Sequence, residues 1–537
     1  MERELYKWQE ECLGKWFACR GRGIVQAVTG SGKTLLALEG ARRLDRKLNG
    51  KLLVRIVVPT GVLLRQWNRS IKEFQNSYPH GTEESSETDA PQTGKIGLRG
   101  SGYRDWSGCK YMIYVVNSAR YELARQILSE LRRGEAVLLI ADECHRYESE
   151  QNRLIFEFLP YIKPYEKRFY SLGLTATLPS GQARQYLTGV LGRRIYSYKM
   201  ADASALRTVC PYDLFHIGLS FQWGERAEYE EMSERMLLLY RKLLQAHPIL
   251  DKLNQKERFE LLRRIAGDKK GKLAETASLY MGLSYKRRSL VCQARARIAC
   301  AFDLTERLDP KEKILIFGER IAQAEELYLL LRERYPGRVG RYHSRMGQQA
   351  NKNVLERFRD GELRILIACK AVDEGLDVPD ATIGIILSGT STQRQRVQRL
   401  GRILRKKENG SGASLYYLHV TESSEDACFL PEGGEKRIYE LTYNLEERKF
   451  LHPAYDSLAE EVLDRLLREG APVETVKAAR QCLEAGQVRS DWTLSAGDIA
   501  RRIRAAKYVR ERNYWICMKR LGVAASAHEL QTLQGKR

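Results

Sequence analysis

Apolar runs of five to seven residues recur along the front of the chain, each followed by a longer amphipathic stretch. The runs are Ile24 to Val28, Leu52 to Val58, Tyr111 to Val116, Ala136 to Ala141 and Ser171 to Thr177. They are rich in β-branched residues and too short for helices, so they read as buried parallel strands. Helical spacing fills the intervals, through Trp16-Phe17, from Leu35-Leu36-Ala37-Leu38 and from Leu63-Leu64-Arg65-Gln66-Trp67. One interval breaks the rhythm. Residues Ser77 to Cys109 are rich in Gly, Ser, Thr and Glu, with Pro79 and Pro91, and read as a long exposed loop.

The rhythm resumes with Pro211 to Leu219, then Lys313 to Gly318, a helix through Leu330-Leu331, a strand ending at Tyr342-His343-Ser344, and Ile365 to Cys369. Between the first two, residues 226 to 297 are helical and basic with no strand signal. They form either a thumb-like element on a nucleic acid or a solvated charged bundle. Beyond about Thr421 the chain reads as mostly helical. Asp456 would cap a helix through Leu467 closed by Gly470, and Pro472 would open the next. Ser495-Ala496-Gly497-Asp498 resembles a capping box before a helix carrying Arg501, Arg502, Arg504, Lys507, Arg510 and Arg512. This tail would touch nucleic acid, dock on a protein, or brace the preceding domain.

The chemistry concentrates where strands end. Thr29-Gly30-Ser31-Gly32-Lys33-Thr34 stands between a strand and a helix. Glycines let backbone N–H groups converge on an anion at a helix N-terminus, whose dipole favours negative charge. Lys33 would reach the β/γ-phosphates and the Thr34 hydroxyl would ligand Mg²⁺. The general pattern G-x-x-x-x-G-K-[ST] has Gly where this chain has Ala27. Asp142-Glu143-Cys144-His145 ends the strand 136–141, the edge where ligands bind in open α/β sheets. Asp142 would hold the Mg²⁺ through a water, and Glu143 would orient and deprotonate the attacking water. Thr175 and Thr177 end the next strand and read as a relay. Near the start, Tyr6 and Gln9 suit stacking on adenine and bonding its edge, although an ordinary opening helix explains them equally.

Net charge changes the picture in one respect. At +22 over 537 residues it favours a polyanionic partner, nucleic acid above all. Eleven cysteines contain no C-x-x-C pair, so neither a zinc ribbon nor a disulfide framework is indicated. Without a long apolar segment or a signal-like start, the chain is expected to be soluble and cytoplasmic, with no membrane partner.

Taken in order, Thr-Gly-Ser-Gly-Lys-Thr, Asp-Glu-Cys-His and Thr175-Ala176-Thr177 resemble superfamily 2 helicases and translocases, nearest the DECH-box branch of bacterial XPB-like proteins and restriction-enzyme motor subunits. That family accepts alanine at the Ala27 position. Its early motif usually reads Leu-Arg-Pro-Tyr-Gln; here Leu5-Tyr6-Lys7-Trp8-Gln9 matches it securely only at Gln9. The stretch Ile365 to Pro379 is similar to the family's fifth motif, in which Lys370 meets the nucleic-acid backbone and Gly375 and Asp377 lie near ATP. Gln398-Arg399-Leu400-Gly401-Arg402-Ile403-Leu404-Arg405 is similar to the sixth. There Gln398, Arg402 and Arg405 act on the γ-phosphoryl, the arginines as fingers worth roughly 10³–10⁵ in rate.

The resemblance implies an α/β fold of two tandem RecA-like domains with parallel sheets. The expected divisions are 1–200 for the ATP-binding domain and 201–420 for the second, with a helical insertion at about 225–297. A mostly helical basic domain would fill 421–537. ATP and Mg²⁺ are the implied cofactors. Pro59, Thr60, Asn117 and Ser118 would join Lys370 on the backbone of a nucleic acid, DNA rather than RNA by family analogy. His145, Thr175 and Thr177 would couple the sites. Three readings stay open: a duplex-separating helicase, a non-unwinding translocase or sensor of an antiviral or restriction assembly with a nuclease partner, and a nucleotide-binding scaffold without turnover.

Overall fold

The computed structural model describes residues 5–77, 95–105, 108–199, 202–203, 212–268, 271–369, 381–388, 413–425, 435–488, 491–494 and 496–535. Two eight-stranded sheets organise it. The first contains β1 (Arg22–Ala27), β2 (Leu52–Val58), β3 (Ile96–Gly100), β4 (Tyr103–Arg104), β5 (Tyr111–Val115), β6 (Ala136–Asp142), β7 (Phe169–Thr175) and β8 (Arg194–Tyr198). Their spatial order is β4-β3-β5-β2-β6-β7-β1-β8, parallel throughout except for the β3–β4 pair.

β2 and β6 are buried at every position, as strands covered on both faces must be. On one face Val54, Ile56, Leu138 and Ile140 meet Leu13, Trp16, Leu36, Leu64, Trp67 and Ile71 of helices Lys7–Ala18, Lys33–Lys47 and Gly61–Ser77. On the other, Val57, Val137 and Leu139 meet Leu123 and Ile127 of helix Val116–Arg132 and Leu187 and Leu191 of helix Gly181–Leu191. Each such side chain contributes about 1.5–3 kcal/mol by leaving water. One charge sits inside this layer. Arg55 in β2 donates to Glu130 of helix Val116–Arg132 at 2.6 Å, with both side chains 1% exposed.

The second sheet runs β11-β12-β10-β13-β14-β9-β15-β16. Its strands are β9 (Tyr212–Leu219), β10 (Ile314–Gly318), β11 (Val339–Tyr342), β12 (Ile365–Cys369), β13 (Ile383–Ile386), β14 (Ala413–Val420), β15 (Glu435–Asn444) and β16 (Lys449–Leu451). Helices Ala296–Arg307 and Ile321–Arg334 cover one face through Ala301, Leu304, Leu327 and Leu331. Between β9 and β10, helices Trp223–Ala246, Gln255–Gly267 and Lys272–Gln293 enclose a small core of Leu243, Leu250, Leu262, Ile265 and Ala277. The sequence places its helical insertion there. Arg297, fully buried where the chain re-enters the lobe, donates to Val291 O and Leu418 O, both at 2.9 Å, and pairs with Glu425.

Three expectations need correction. Part of the Ser77–Cys109 loop is sheet: β3 pairs in parallel with β5 and turns back through β4. Residues 78–94 lie outside the described set. The sheet also continues past residue 420, since β15 pairs in parallel with β9 and β16 returns against it, so 421–537 is not helical from its start. Finally, the helix expected to begin at Asp456 starts a turn earlier, with Pro453 at its first position, where a missing N–H costs nothing. The remaining helices, Val473–Glu484, Ala496–Ala505 and Val509–Gly535, share with Pro453–Arg468 a core of Leu463, Ala479, Trp492, Ile499, Trp515 and Met518.

Candidate functional site

In the first sheet β6, β7 and β1 are neighbours, and their registers set Asp142 beside Leu174 and Thr175 beside Gln26. The Gly-Lys-Thr loop, the Asp-Glu pair and the Thr-Ala-Thr segment therefore emerge side by side at one sheet edge. β2 and β5 continue that edge with Val58 beside Val115, so Pro59-Thr60 and Asn117-Ser118 emerge next to each other on its other half. A single sheet edge thus carries Lys33, Thr34, Asp142 and Glu143, assigned to the nucleotide, and Pro59, Thr60, Asn117 and Ser118, assigned to a polynucleotide.

The loop after β1 is shaped by glycine. Gly30 has φ +85° and Gly32 φ +90°, both left-handed, and Gly32 immediately precedes helix Lys33–Lys47. Ser31 is buried and its hydroxyl donates to Val28 O at 2.7 Å. Lys33 Nζ folds over the bowl and donates to Ala27 O at 2.8 Å and Val28 O at 3.1 Å. Thr34 follows in the first helical turn, half-buried. Gln9 is fully buried: its amide donates to Gly32 O at 3.0 Å and its carbonyl accepts the Tyr6 N–H at 2.9 Å. Gln9 therefore braces the loop itself. Tyr6 is 40% exposed, while Trp8 is buried and stacks on Tyr198 at 4.5 Å.

Asp142 is held from two sides. Trp67 Nε1 donates to Oδ2 at 2.8 Å, and the Glu143 N–H donates to Oδ1 at 2.9 Å. Burial raises the Asp142 carboxyl to about 6, and the Glu143 charge adds to the rise; the Trp67 N–H and the Lys33 ammonium hold it down. Glu143 has φ +48° and ψ +46°, a left-handed conformation strained for a residue with a Cβ. Its Oε2 is 3.3 Å from His145 Nδ1, which in turn lies 2.8 Å from Thr175 Oγ1. Thr175 donates to Thr177 O at 2.7 Å and accepts the Thr177 N–H at 3.2 Å. Tyr147 closes the turn by donating to Asp142 O at 2.7 Å and Val57 O at 3.0 Å.

The sequence reading missed Trp67 and Tyr147. Both sit at apolar-patterned positions, where a polar tip leaves no periodic trace. Thr60 is half-buried and caps helix Gly61–Ser77, its hydroxyl accepting the Leu63 N–H at 3.4 Å. Asn117 is exposed and Ser118 half-buried. Lys370, Gly375, Asp377, Gln398, Arg402 and Arg405 lie outside the described residues. His343 ends its strand as expected, buried and paired with Glu325.

Two family models match in chain order: the res subunit of type III restriction enzymes over residues 2–180 and the helicase conserved C-terminal domain over residues 294–407. The chain is a superfamily 2 helicase. As such it is an ATPase, and it resembles XPB proteins and restriction motor subunits. It is 27% identical over 408 residues to the DNA 3'-5' translocase XPB2 of Sulfurisphaera tokodaii, covering 75% of this chain and 79% of that one. With the DNA 3'-5' helicase XPB of Mycobacterium tuberculosis the identity is 25% over 420 residues, covering 76% and 60%. The structure of Dbp5 from S. cerevisiae bound to RNA and ADP BeF3 superposes with TM-score 0.50 at 11% identity, over 82% of this chain and 90% of that one, a likeness of fold alone.

The superfamily implies ATP, typically with Mg²⁺, and this site fits both. A Cβ on Gly32 would stand 2.7 Å from Gln9 Nε2, so the bowl keeps its shape only with glycine there. Thr29 Oγ1 and Thr177 Oγ1 are buried without hydrogen-bond partners among the described residues. No cluster of three or more His, Cys, Asp or Glu residues among the described residues could cage a metal. A single buried carboxylate beside a phosphate bowl suits magnesium, which keeps waters and phosphate oxygens as ligands. Among the described residues no helix is long and apolar enough to cross a membrane.

Proposed function

We propose that the chain is an ATP-dependent motor that moves along DNA. The observation that carries this is the shared edge: nucleotide-facing loops after β6, β7 and β1 continue into the Pro59-Thr60 and Asn117-Ser118 loops after β2 and β5. In this reading the Gly30-Ser31-Gly32 backbone and Lys33 hold the β- and γ-phosphates, while Thr34 and Asp142 hold magnesium. Bound magnesium neutralises charge that develops on the phosphates. Glu143 takes a proton from the attacking water, and its strained backbone keeps the carboxylate aimed at the bowl. Gln9, fully buried, serves the nucleotide pocket by bracing Gly32.

Gln398, Arg402 and Arg405, with Gly375 and Asp377, complete the pocket from the second lobe; the family match over 294–407 supports this. His145, Thr175 and Thr177 relay the state of the pocket to the neighbouring strand ends. Pro59, Thr60, Asn117, Ser118 and Lys370 grip the polynucleotide backbone, which gives little sequence preference and a steep salt dependence. DNA is the substrate by likeness to the archaeal and mycobacterial relatives, whose names specify it.

The domain division that supports this reading is 1–200, 201–420 with the insertion at about 225–297, and 421–537, with β15 and β16 lent back to the second sheet. Val473 and Val509 on the C-terminal helices, and Tyr508 just before the last of them, are more than two-thirds exposed. They favour a protein partner there, for which a nuclease or defence-complex subunit in the cytoplasm is our reading. Triplex displacement assayed beside strand displacement tests the motor. Release of the third strand driven by ATP supports translocation, and added duplex opening makes the protein an unwinding helicase. Absence of both activities while ATP is hydrolysed would contradict the proposal.

A further inference from the structure

Trp67 is a large core side chain whose one polar atom is spent on the Asp142 carboxylate itself. It is 1% exposed, on the buried face that helix Gly61–Ser77 forms with Leu63, Leu64, Ile71 and Phe74. Its indole N–H reaches Asp142 Oδ2 at 2.8 Å. With the Glu143 N–H on Oδ1, both carboxylate oxygens have a fixed donor, which leaves the group one orientation. An apolar core position needs no N–H. A phenylalanine or leucine would fill it without burying a donor that must then be satisfied.

The helix that carries Trp67 begins at the other half of the sheet edge. The Leu64 N–H donates to Thr60 O at 3.1 Å, and the Thr60 hydroxyl caps the first turn. From Thr60 to Trp67 is about 10 Å along the axis, at 1.5 Å per residue. The intervening two turns are pinned by Leu63 and Leu64, so they move as one body. A force on Thr60 therefore arrives at the Asp142 carboxylate with no flexible link between.

We propose that Trp67 is a positioning residue that sets the Asp142 carboxylate for magnesium and carries to it the state of the Pro59-Thr60 loop. This rests on the reading of Asp142 as the magnesium-side carboxylate. Residues that orient a metal's carboxylate are commonly worth 10–100-fold in metal affinity. The inferred effect is at the lower end, because the Glu143 N–H remains. Linkage makes it reciprocal: whatever DNA does to Mg·nucleotide affinity through this helix, Mg·nucleotide does to DNA affinity.

The test uses the full chain and needs no turnover. ADP binding is measured by calorimetry with and without Mg²⁺, and with and without duplex DNA, for wild type, Trp67→Phe, Trp67→His and Leu64→Ala. Trp67→Phe is expected to weaken ADP binding about tenfold in Mg²⁺, to leave Mg-free binding within about twofold, and to shrink the DNA-linked change in affinity. Trp67→His, which returns an N–H, recovers part of the loss. Leu64→Ala removes buried bulk from the same helix face and keeps the wild-type ratio between the two conditions. Trp67→Phe and Leu64→Ala shifting that ratio alike would mean that packing alone is responsible, and would overturn the proposal. A wild-type affinity indifferent to Mg²⁺ overturns the magnesium reading of Asp142 and the lever with it. A magnesium-dependent wild type with an unaltered Trp67→Phe overturns the lever alone.

Discussion

His145 Nδ1 lies 2.8 Å from Thr175 Oγ1, joining the turn after β6 to the end of the neighbouring strand β7. His145 also faces the Glu143 carboxylate at 3.3 Å, so one imidazole touches Glu143 and the Thr-Ala-Thr segment together. The two contacts make a short polar bridge from Glu143 to the end of β7, the proposed route of coupling.

That bridge predicts a separation of functions. Thr175→Val, which removes the hydroxyl and keeps the shape, should leave basal ATP hydrolysis within a few-fold. Its stimulation by DNA should fall about fivefold or more, at the low end of ordinary coupling energies. Steady-state turnover with and without a saturating duplex decides it; unchanged stimulation means that the bridge does not couple the sites.

Glu143 and Gly32 give a contrasting pair. Glu143→Gln should lower hydrolysis about 10²–10⁴-fold while ATP still binds, because only proton abstraction is lost. Gly32→Ala should fail at the earlier step. At φ +90° a Cβ costs roughly 1–2 kcal/mol and would meet Gln9 Nε2 at 2.7 Å, so nucleotide affinity itself falls. A fluorescent ATP analogue distinguishes binding from turnover in both variants.

How much of this could be read beforehand depended on where the information resides. Glycine, lysine and paired carboxylates at fixed spacing announce a phosphate site, since their chemistry is local. Strands β1, β2, β5, β6 and β7 were legible because burial on both faces leaves near-continuous apolar runs. β3 was not, since Gly97-Leu98-Arg99-Gly100 has little strand propensity and draws its pairing from β5. β15 carries a plain alternation, with Tyr439, Leu441 and Tyr443 buried and Glu440 exposed, but it stands beyond every motif and was passed over. Trp67 was invisible as a hydrogen-bond donor. Its position on an apolar helix face says core, and only the fold supplies Asp142.

Arg55 and Glu130 predict a stability effect far from the chemistry. Each is 1% exposed and the pair meets at 2.6 Å, so Glu130→Ala strands a buried guanidinium and should cost about 3–5 kcal/mol. Replacing both with apolar residues of similar volume should cost much less. Denaturant unfolding of the single and double variants measures the difference; equal losses would show that the pairing matters little.

Acid should weaken the fold through its buried histidines. Burial lowers His419 to about 3, helped by the stacked His216 ring 3.7 Å away and by Arg297, and burial lowers His452 to about 4. Below about 6.5 the unfolded chain takes up protons that the native sites refuse. The stability these groups contribute is thus present above that pH and lost as pH falls toward 3–4, by up to about 1.4 kcal/mol per pH unit for each. His419→Gln should flatten the fall between pH 6.5 and 4.5; a slope identical to wild type would count against a neutral buried ring.

In the proposed motor one sheet edge binds ATP and a polynucleotide, and turnover depends on both. An ATPase titration against single- and double-stranded DNA and RNA, run beside Lys33→Ala, tests it most directly. Turnover should rise with added DNA, more than with RNA, and Lys33→Ala should abolish it. Turnover indifferent to every polynucleotide, or retained in full by Lys33→Ala, would contradict it.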